Sequence, residues 1–175
     1  MPGAHVRARA HARACAGRRR PARADLDRAL HHAELAVRLR AQATEPAPQL
    51  PSIAQFLGQT AEVRRARLRA TGDVRELDGA IGAARSAVRH SPTSRTGRTG
   101  ILVTLCALLT DRHLLTGAMA DLDEAVLAGR DAVAAAGPAS GPDPGACNNL
   151  AVALRNRFER RGRGAARPGT ALVLR

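Results

Sequence analysis

Two stretches of the chain spell the same pattern: Thr71-Gly72-Asp73-Val74-Arg75-Glu76-Leu77-Asp78-Gly79-Ala80-Ile81-Gly82-Ala83-Ala84-Arg85-Ser86-Ala87-Val88, and then Thr116-Gly117-Ala118-Met119-Ala120-Asp121-Leu122-Asp123-Glu124-Ala125-Val126-Leu127-Ala128-Gly129-Arg130-Asp131-Ala132-Val133. Thr-Gly, Leu-Asp, Ala, Arg and Ala-Val coincide, and each matched pair lies 45 residues apart. A repeat of that length implies an all-α fold of stacked antiparallel helical hairpins, each too small to bury its own apolar face and completed by its neighbours.

Each copy reads as a sharp turn and then an amphipathic helix. Gly72 and Gly117 stand where a preceding helix needs a left-handed residue to stop, a conformation that glycine adopts without a Cβ penalty. In the first copy Asp73 is placed to cap the next helix, with Glu76 three residues on to complete a capping box; in the second, Ala118 has lost the cap and Asp121 keeps the first-turn negative charge. Leu77, Ala80, Ile81, Ala84 and Val88 fall at helical spacing, as do Leu122, Ala125, Val126, Gly129 and Val133. Small residues on such a stripe permit close helix contact.

Weaker copies lie on both sides. Leu26, Ala29, Leu30, Ala33 and Val37 carry the same stripe, with Asp25 and Asp27 matching Asp121 and Asp123. Leu26 lies 51 residues before Leu77, so six extra residues must be absorbed, and the segment with Pro46, Pro48 and Pro51 is where an insertion fits. The first helices of the hairpins align as Leu57, Ala61 and Leu68, then Leu102, Cys106 and His113, then Cys147, Ala151 and Phe158. The spacing predicts helices over Asp25 to Arg40, Ile53 to Ala70, Asp73 to His90, Ile101 to Leu115, Met119 to Ala136 and Ala146 to Arg161, with Gly162 as the last helix-ending glycine. Ser91 to Gly100 and Gly137 to Gly145 read as loops between hairpins. Three regions follow: a basic Arg/Ala-rich segment over 1–23, a repeat domain over 24–161, and an irregular tail over 162–175, where Arg167 and Pro168 replace the leucine that the register calls for.

The chain has 175 residues, a formal charge of +13 and 1% aromatics, so burial must rest on Leu, Val and Ala. The charge is uneven: residues 1–23 hold seven Arg and no acid, 24–154 hold 14 Arg and 14 acids, and 155–175 hold seven Arg against Glu159. A balanced body with basic ends results. All 28 basic residues are Arg, a bias that GC-rich coding explains without a ligand. The opening segment around Val6 to Arg20 reads either as a degenerate leading helix or as a basic arm that pairs with phosphate. It lacks the apolar core of a secretory signal and the serines of a transit peptide, and no stretch of the chain is an apolar membrane span.

The strings Ala146-Cys-Asn-Asn-Leu-Ala-Val-Ala-Leu-Arg-Asn-Arg-Phe-Glu-Arg-Arg-Gly162 and Gly117-Ala-Met-Ala-Asp-Leu-Asp-Glu-Ala-Val126 resemble the tetratricopeptide-like arrays of actinobacterial proteins. The resemblance covers about Asp25 to Gly162. It implies a protein-binding scaffold, and such arrays often accompany a caspase-like protease domain of the CHAT type. No His and Cys pair of such a domain stands in this chain, so the resemblance extends to the array and not to the protease.

Cys15, Cys106 and Cys147 show neither paired spacing nor a neighbouring His pair, which argues against zinc, and the register makes Cys106 and Cys147 small buried residues of a reducing, cytoplasmic compartment. Adjacent His31 and His32 face different ways on a helix and cannot chelate one metal. Neither glycine-rich run ends in Gly-Lys-Ser/Thr, and no nucleophile elbow occurs; no catalytic residue, cofactor or metal is expected. One constellation recurs: Arg67, Arg112 and Arg157, spaced by 45, form a ladder able to grip carboxylates of an extended peptide or, alternatively, to offset helix-end carbonyls. Asn149, at the register of Thr104 and Gln59, is the other candidate binding residue. Two functions are expected from these residues: a non-catalytic scaffold for a protein or peptide partner, or an Arg-rich protein whose basic ends hold nucleic acid.

Overall fold

The computed structural model describes residues 23–44, 51–91, 95–135, 141 and 143–165. The basic segment up to residue 22, the Pro46 and Pro48 connection, most of the Gly137 to Gly145 run and the tail from residue 166 lie outside the described residues. Among the described residues there are six helices and no strand: α1 (Arg23–Gln42), α2 (Ile53–Thr71), α3 (Arg75–His90), α4 (Arg95–Thr116), α5 (Met119–Ala135) and α6 (Pro144–Ala165). Each packs on the next, and α4 also touches both α2 and α6.

The turns explain why Thr-Gly occurs in both copies. Gly72 adopts φ +71° and donates its N–H to Leu68 O at 2.8 Å, while Gly117 adopts φ +75° and donates to His113 O at 2.7 Å. Beside them the threonine hydroxyl works in both directions. Thr71 Oγ1 donates to Arg67 O and accepts from Asp73 N, and Thr116 Oγ1 donates to Arg112 O and accepts from Ala118 N. Orphaned backbone groups at the end of one helix and in the turn beyond it are thereby satisfied together. α2 and α3 then run antiparallel, with Ala54 against Ala87 at one end and Arg67 against Glu76 at the other.

Several boundaries differ from expectation for local reasons. α3 is not opened by a capping box: Val74 holds the cap position, Asp73 Oδ1 accepts the Arg75 N–H at 3.1 Å, and Glu76 turns away to two guanidinium groups. A buried carboxylate gains more from two charge-assisted bonds than from one exposed backbone N–H. Among the described residues a capping box opens α2 instead, where Ser52 Oγ accepts from Gln55 N and Gln55 Oε1 accepts from Ser52 N. α4 begins at Arg95, so Gly97 and Gly100 lie inside a helix and not in a loop. α6 begins at Pro144 with Asp143 Oδ1 accepting the Ala146 N–H at 2.7 Å, a first-turn proline whose missing N–H costs nothing. It also continues through Gly162 to Ala165, so Gly162 does not end a helix as its register implied.

The main core joins Leu77, Ile81, Leu102, Leu105, Leu108, Leu109 and Val126 with alanines from four helices, Ala61, Ala80, Ala84, Ala125, Ala128, Ala132, Ala146 and Ala153. Each fully buried leucine contributes about 1.5 to 3 kcal/mol. The alanines contribute proximity. Gly129 shows the limit of that closeness: a Cβ there would stand 3.1 Å from the Leu150 Cβ and 3.2 Å from its Cα, so α5 and α6 meet almost backbone to backbone.

Both copied stripes face this core, since Leu77, Ala80, Ile81 and Ala84 are buried, as are Leu122, Ala125, Val126 and Gly129. α1 buries Leu26, Leu30 and Ala33 but leaves Ala29 exposed. On α6 the register overstates burial: Cys147 and Ala151 are exposed and Phe158 is 77% exposed, because no described helix covers that side. Ala146, Ala153 and Asn156 are the residues that α6 buries instead.

Candidate functional site

The three ladder arginines all sit in the second half of a first helix, half-buried against the turn, and the carboxylates they meet belong to the chain itself. Arg67 directs Nε to Glu76 Oε1 at 2.9 Å and Nη1 to Asp27 Oδ1 at 2.6 Å. Arg112 repeats this with Nε to Asp121 Oδ2 at 3.0 Å, Nη2 to Asp121 Oδ1 at 2.5 Å and Nη1 to Asp78 Oδ1 at 3.0 Å. Arg157 has Nη1 on Asp123 Oδ1 at 3.4 Å. Asp27, Asp78 and Asp123 are the aspartates of the Leu-Asp pairs. The Leu of that dipeptide enters the core while the Asp reaches the arginine of the following helix.

Burial makes these bonds matter. Glu76 and Asp121 are buried acids, and an ion in that setting is tolerated only with partners. The hydrogen bonds that Arg112 donates to Asp121, ahead of the one it donates to Asp78, push its guanidinium above its ordinary range. Arg64 adds Nη1 to Glu76 at 3.0 Å and Nη2 to Glu34 at 2.5 Å, so Glu76 is clasped from two sides. A parallel pair of bonds, Arg85 to Glu124 at 2.8 and 2.5 Å, ties α3 to α5. These guanidinium groups are therefore internal fasteners between helices. Offsetting helix-end carbonyls, the other role open to them, is left to Thr71 and Thr116.

Asn149 likewise turns inward, its Nδ2 donating to Val103 O at 3.1 Å to join α6 to α4. At the equivalent place on α4, Thr104 donates to Glu62 Oε1 at 2.6 Å and joins α4 to α2. Beside that bond lies a groove of about 310 Å³ lined by Gln55, Gly58, Glu62, Gly97, Gly100, Ile101 and Thr104. It stays open because Gly97 and Gly100 have no side chains to fill it.

A second surface was invisible to the register. Two adjoining clefts of about 230 and 400 Å³ share Val74 and Leu115, one reaching Leu77 and Arg112 and the other Leu68 and Leu114. Val74, Leu114 and Leu115 are 53, 61 and 60% exposed, so the two turn regions together present bare apolar side chains framed by Arg75, Asp78 and Asp111. The available signal was Leu114-Leu115 itself, two large apolar residues just before a helix stop and off the buried stripe.

Cys106 is buried, and that burial pushes its thiol up to about 11, a poor nucleophile. Cys147 is exposed, contrary to the register. His31 and His32 meet edge to face at 5.4 Å, and among the described residues no group of three His, Cys, Asp or Glu side chains converges. Nor, among the described residues, is any helix long and apolar enough to cross a membrane. Compared with family models, curated proteins and solved structures, the chain matches none.

Proposed function

We propose that this chain is a non-catalytic, cytoplasmic scaffold, a tetratricopeptide-like array of stacked antiparallel hairpins with a period of 45 residues, that binds a protein or peptide. The observation that carries the reading is the exposed apolar cleft at Val74, Leu114 and Leu115, a surface that a partner side chain would take out of water. Supporting it, the ladder arginines are spent on internal carboxylates, so the ladder is not a stripe of free guanidinium groups for phosphate. The partner's contribution is an apolar anchor.

A displayed peptide library panned on the full chain tests this reading. Selected peptides are expected to share apolar anchors and to lose at least about tenfold in affinity to Leu115→Asp, the cost of about 1.4 kcal/mol. Peptides indifferent to Leu115 would remove the cleft from the argument. The nucleic-acid reading makes a different demand: retention of duplex DNA that falls steeply with salt and disappears when residues 1–23 and 163–175 are deleted. DNA binding without any selected peptide would put that reading first.

A further inference from the structure

We propose that copies of this chain join end to end, with α6 of one copy seated on α1 of the next to complete a hairpin of which the described residues of each copy hold one helix. The inference rests on the repeat reading above and on a mismatch between the middle of the molecule and its two ends. In the middle, an arginine is always followed nine residues later by a buried acid on the next helix: Arg67 by Glu76, and Arg112 by Asp121. At the ends the rule is broken in complementary ways. Nine residues after Arg157 stands Ala166, and nine residues before Asp25, the acid at the register of Glu76, stands Ala16. Arg157 therefore has an acid from the preceding helix and, among the described residues, none from a following one. Among the described residues Asp25 meets only Arg28 of its own helix, an exposed pair three residues apart that contributes little.

Apolar positions show the same split. Cys106 and Ala61 are fully buried, whereas Ala151 at their register on α6 is exposed; Ala80 and Ala125 are fully buried, whereas Ala29 at their register on α1 is exposed. His113 is 1% exposed and its counterpart Phe158 is 77% exposed. Among the described residues α6 is thus a first helix without a second, and α1 a second helix without a first. Neither flanking segment carries the stripe that would fill the gap: Arg167 and Pro168 take the place of Leu122 and its neighbour, and Gly17 takes that of Leu68. A second copy supplies both halves. Arg157 would find Asp25, and the small Ala29 would let α1 approach Ala151 as Ala80 and Ala125 let their helices approach. The contact is between different surfaces, so it propagates along a line unless its rotation closes a ring.

Sedimentation of the full chain with Ala29→Arg and Ala151→Arg tests the arrangement. The wild type should grow in mass with concentration, each variant should stay monomeric, and an equimolar mixture of the two should give a dimer and nothing larger, because one intact end remains on each partner. Both alanines are exposed in the single copy, so circular dichroism should be unchanged; if an Arg variant loses helicity, the Gln variant at that position is read in its place. A wild type that remains monomeric, a single variant that assembles like the wild type, or a folded mixture that fails to pair would each overturn the proposal. Assembly seen only after deletion of 163–175 would overturn it too, by giving the α6 face to that segment. The variants lie away from Val74, Leu114 and Leu115, so library peptides should still bind them, and failure of assembly is distinguishable from failure of the scaffold reading.

Discussion

The α2–α3 and α4–α5 pairs are closed by the same bonds at their turns and filled by different residues behind them. Both have the left-handed glycine, the two-way threonine hydroxyl and the arginine on a buried acid. Behind the first turn the seam is narrow on one side, where α2 buries only Ala54, Thr60 and Ala61 against Leu77, Ala80, Ile81, Ala84 and Ala87 of α3, and Arg64 lies so close over Gly79 that a Cβ there would stand 2.7 Å from its Nη1. Behind the second, Leu102, Leu105, Leu108, Leu109 and Leu122 fill the space. The turn therefore sets the geometry of a pair, whereas the seam sets how much apolar surface supports it. Where leucines are scarce, extra ion pairs from Arg64 to Glu34 and Glu76 take their place.

The largest test of this contrast is Leu122→Ala, expected to destabilise by about 2 to 5 kcal/mol in urea unfolding, with Arg130→Ala on the exposed side of α5 changing stability by less than about 0.5 kcal/mol. Equal costs would mean that the buried stripe does not support the second pair. Next in size is Arg112→Ala, which strands the buried Asp121 and should cost about 2 to 3 kcal/mol at neutral pH, less than for a fully buried pair because the guanidinium is partly exposed. Arg67→Ala should cost less, about 1 to 2 kcal/mol, since Arg64 still holds Glu76. The reverse order would show that Arg64 is no substitute. Smallest are Gly72→Ala and Gly117→Ala, each expected near about 1 kcal/mol from the left-handed backbone alone. Unequal losses there would break the claim that the two turns are one device.

Helices and their buried faces were legible because period and register are local: Leu77, Ile81, Leu122 and Val126 announce their burial by spacing alone. Register failed where no described helix lies alongside, for Cys147, Ala151 and Phe158 share the positions of buried residues and remain exposed. Glycine was read rightly at Gly72 and Gly117, which end helices, and wrongly at Gly97, Gly100 and Gly162, which lie within them. Composition cannot tell these apart; the φ angle decides. The arginine ladder was visible as spacing, but its partners were not, because the Asp of each Leu-Asp pair acts on a helix that follows it by more than thirty residues, as with Arg112 and Asp78. The apolar cleft left no periodic mark at all.

One guanidinium that takes an acid from the helix after it and another from the helix before it fastens three helices at once, and this changes how the molecule can open. Releasing α3 alone would rupture Arg67–Glu76, Arg64–Glu76, Arg112–Asp78 and Arg85–Glu124 together, with bonds rooted in α2, α4 and α5. No interior helix can swing out by itself. Amide protons of α3 and α4 should therefore exchange with solvent only in openings that their neighbours share, while α6, fastened to α5 through Asp123, opens in smaller and more frequent steps.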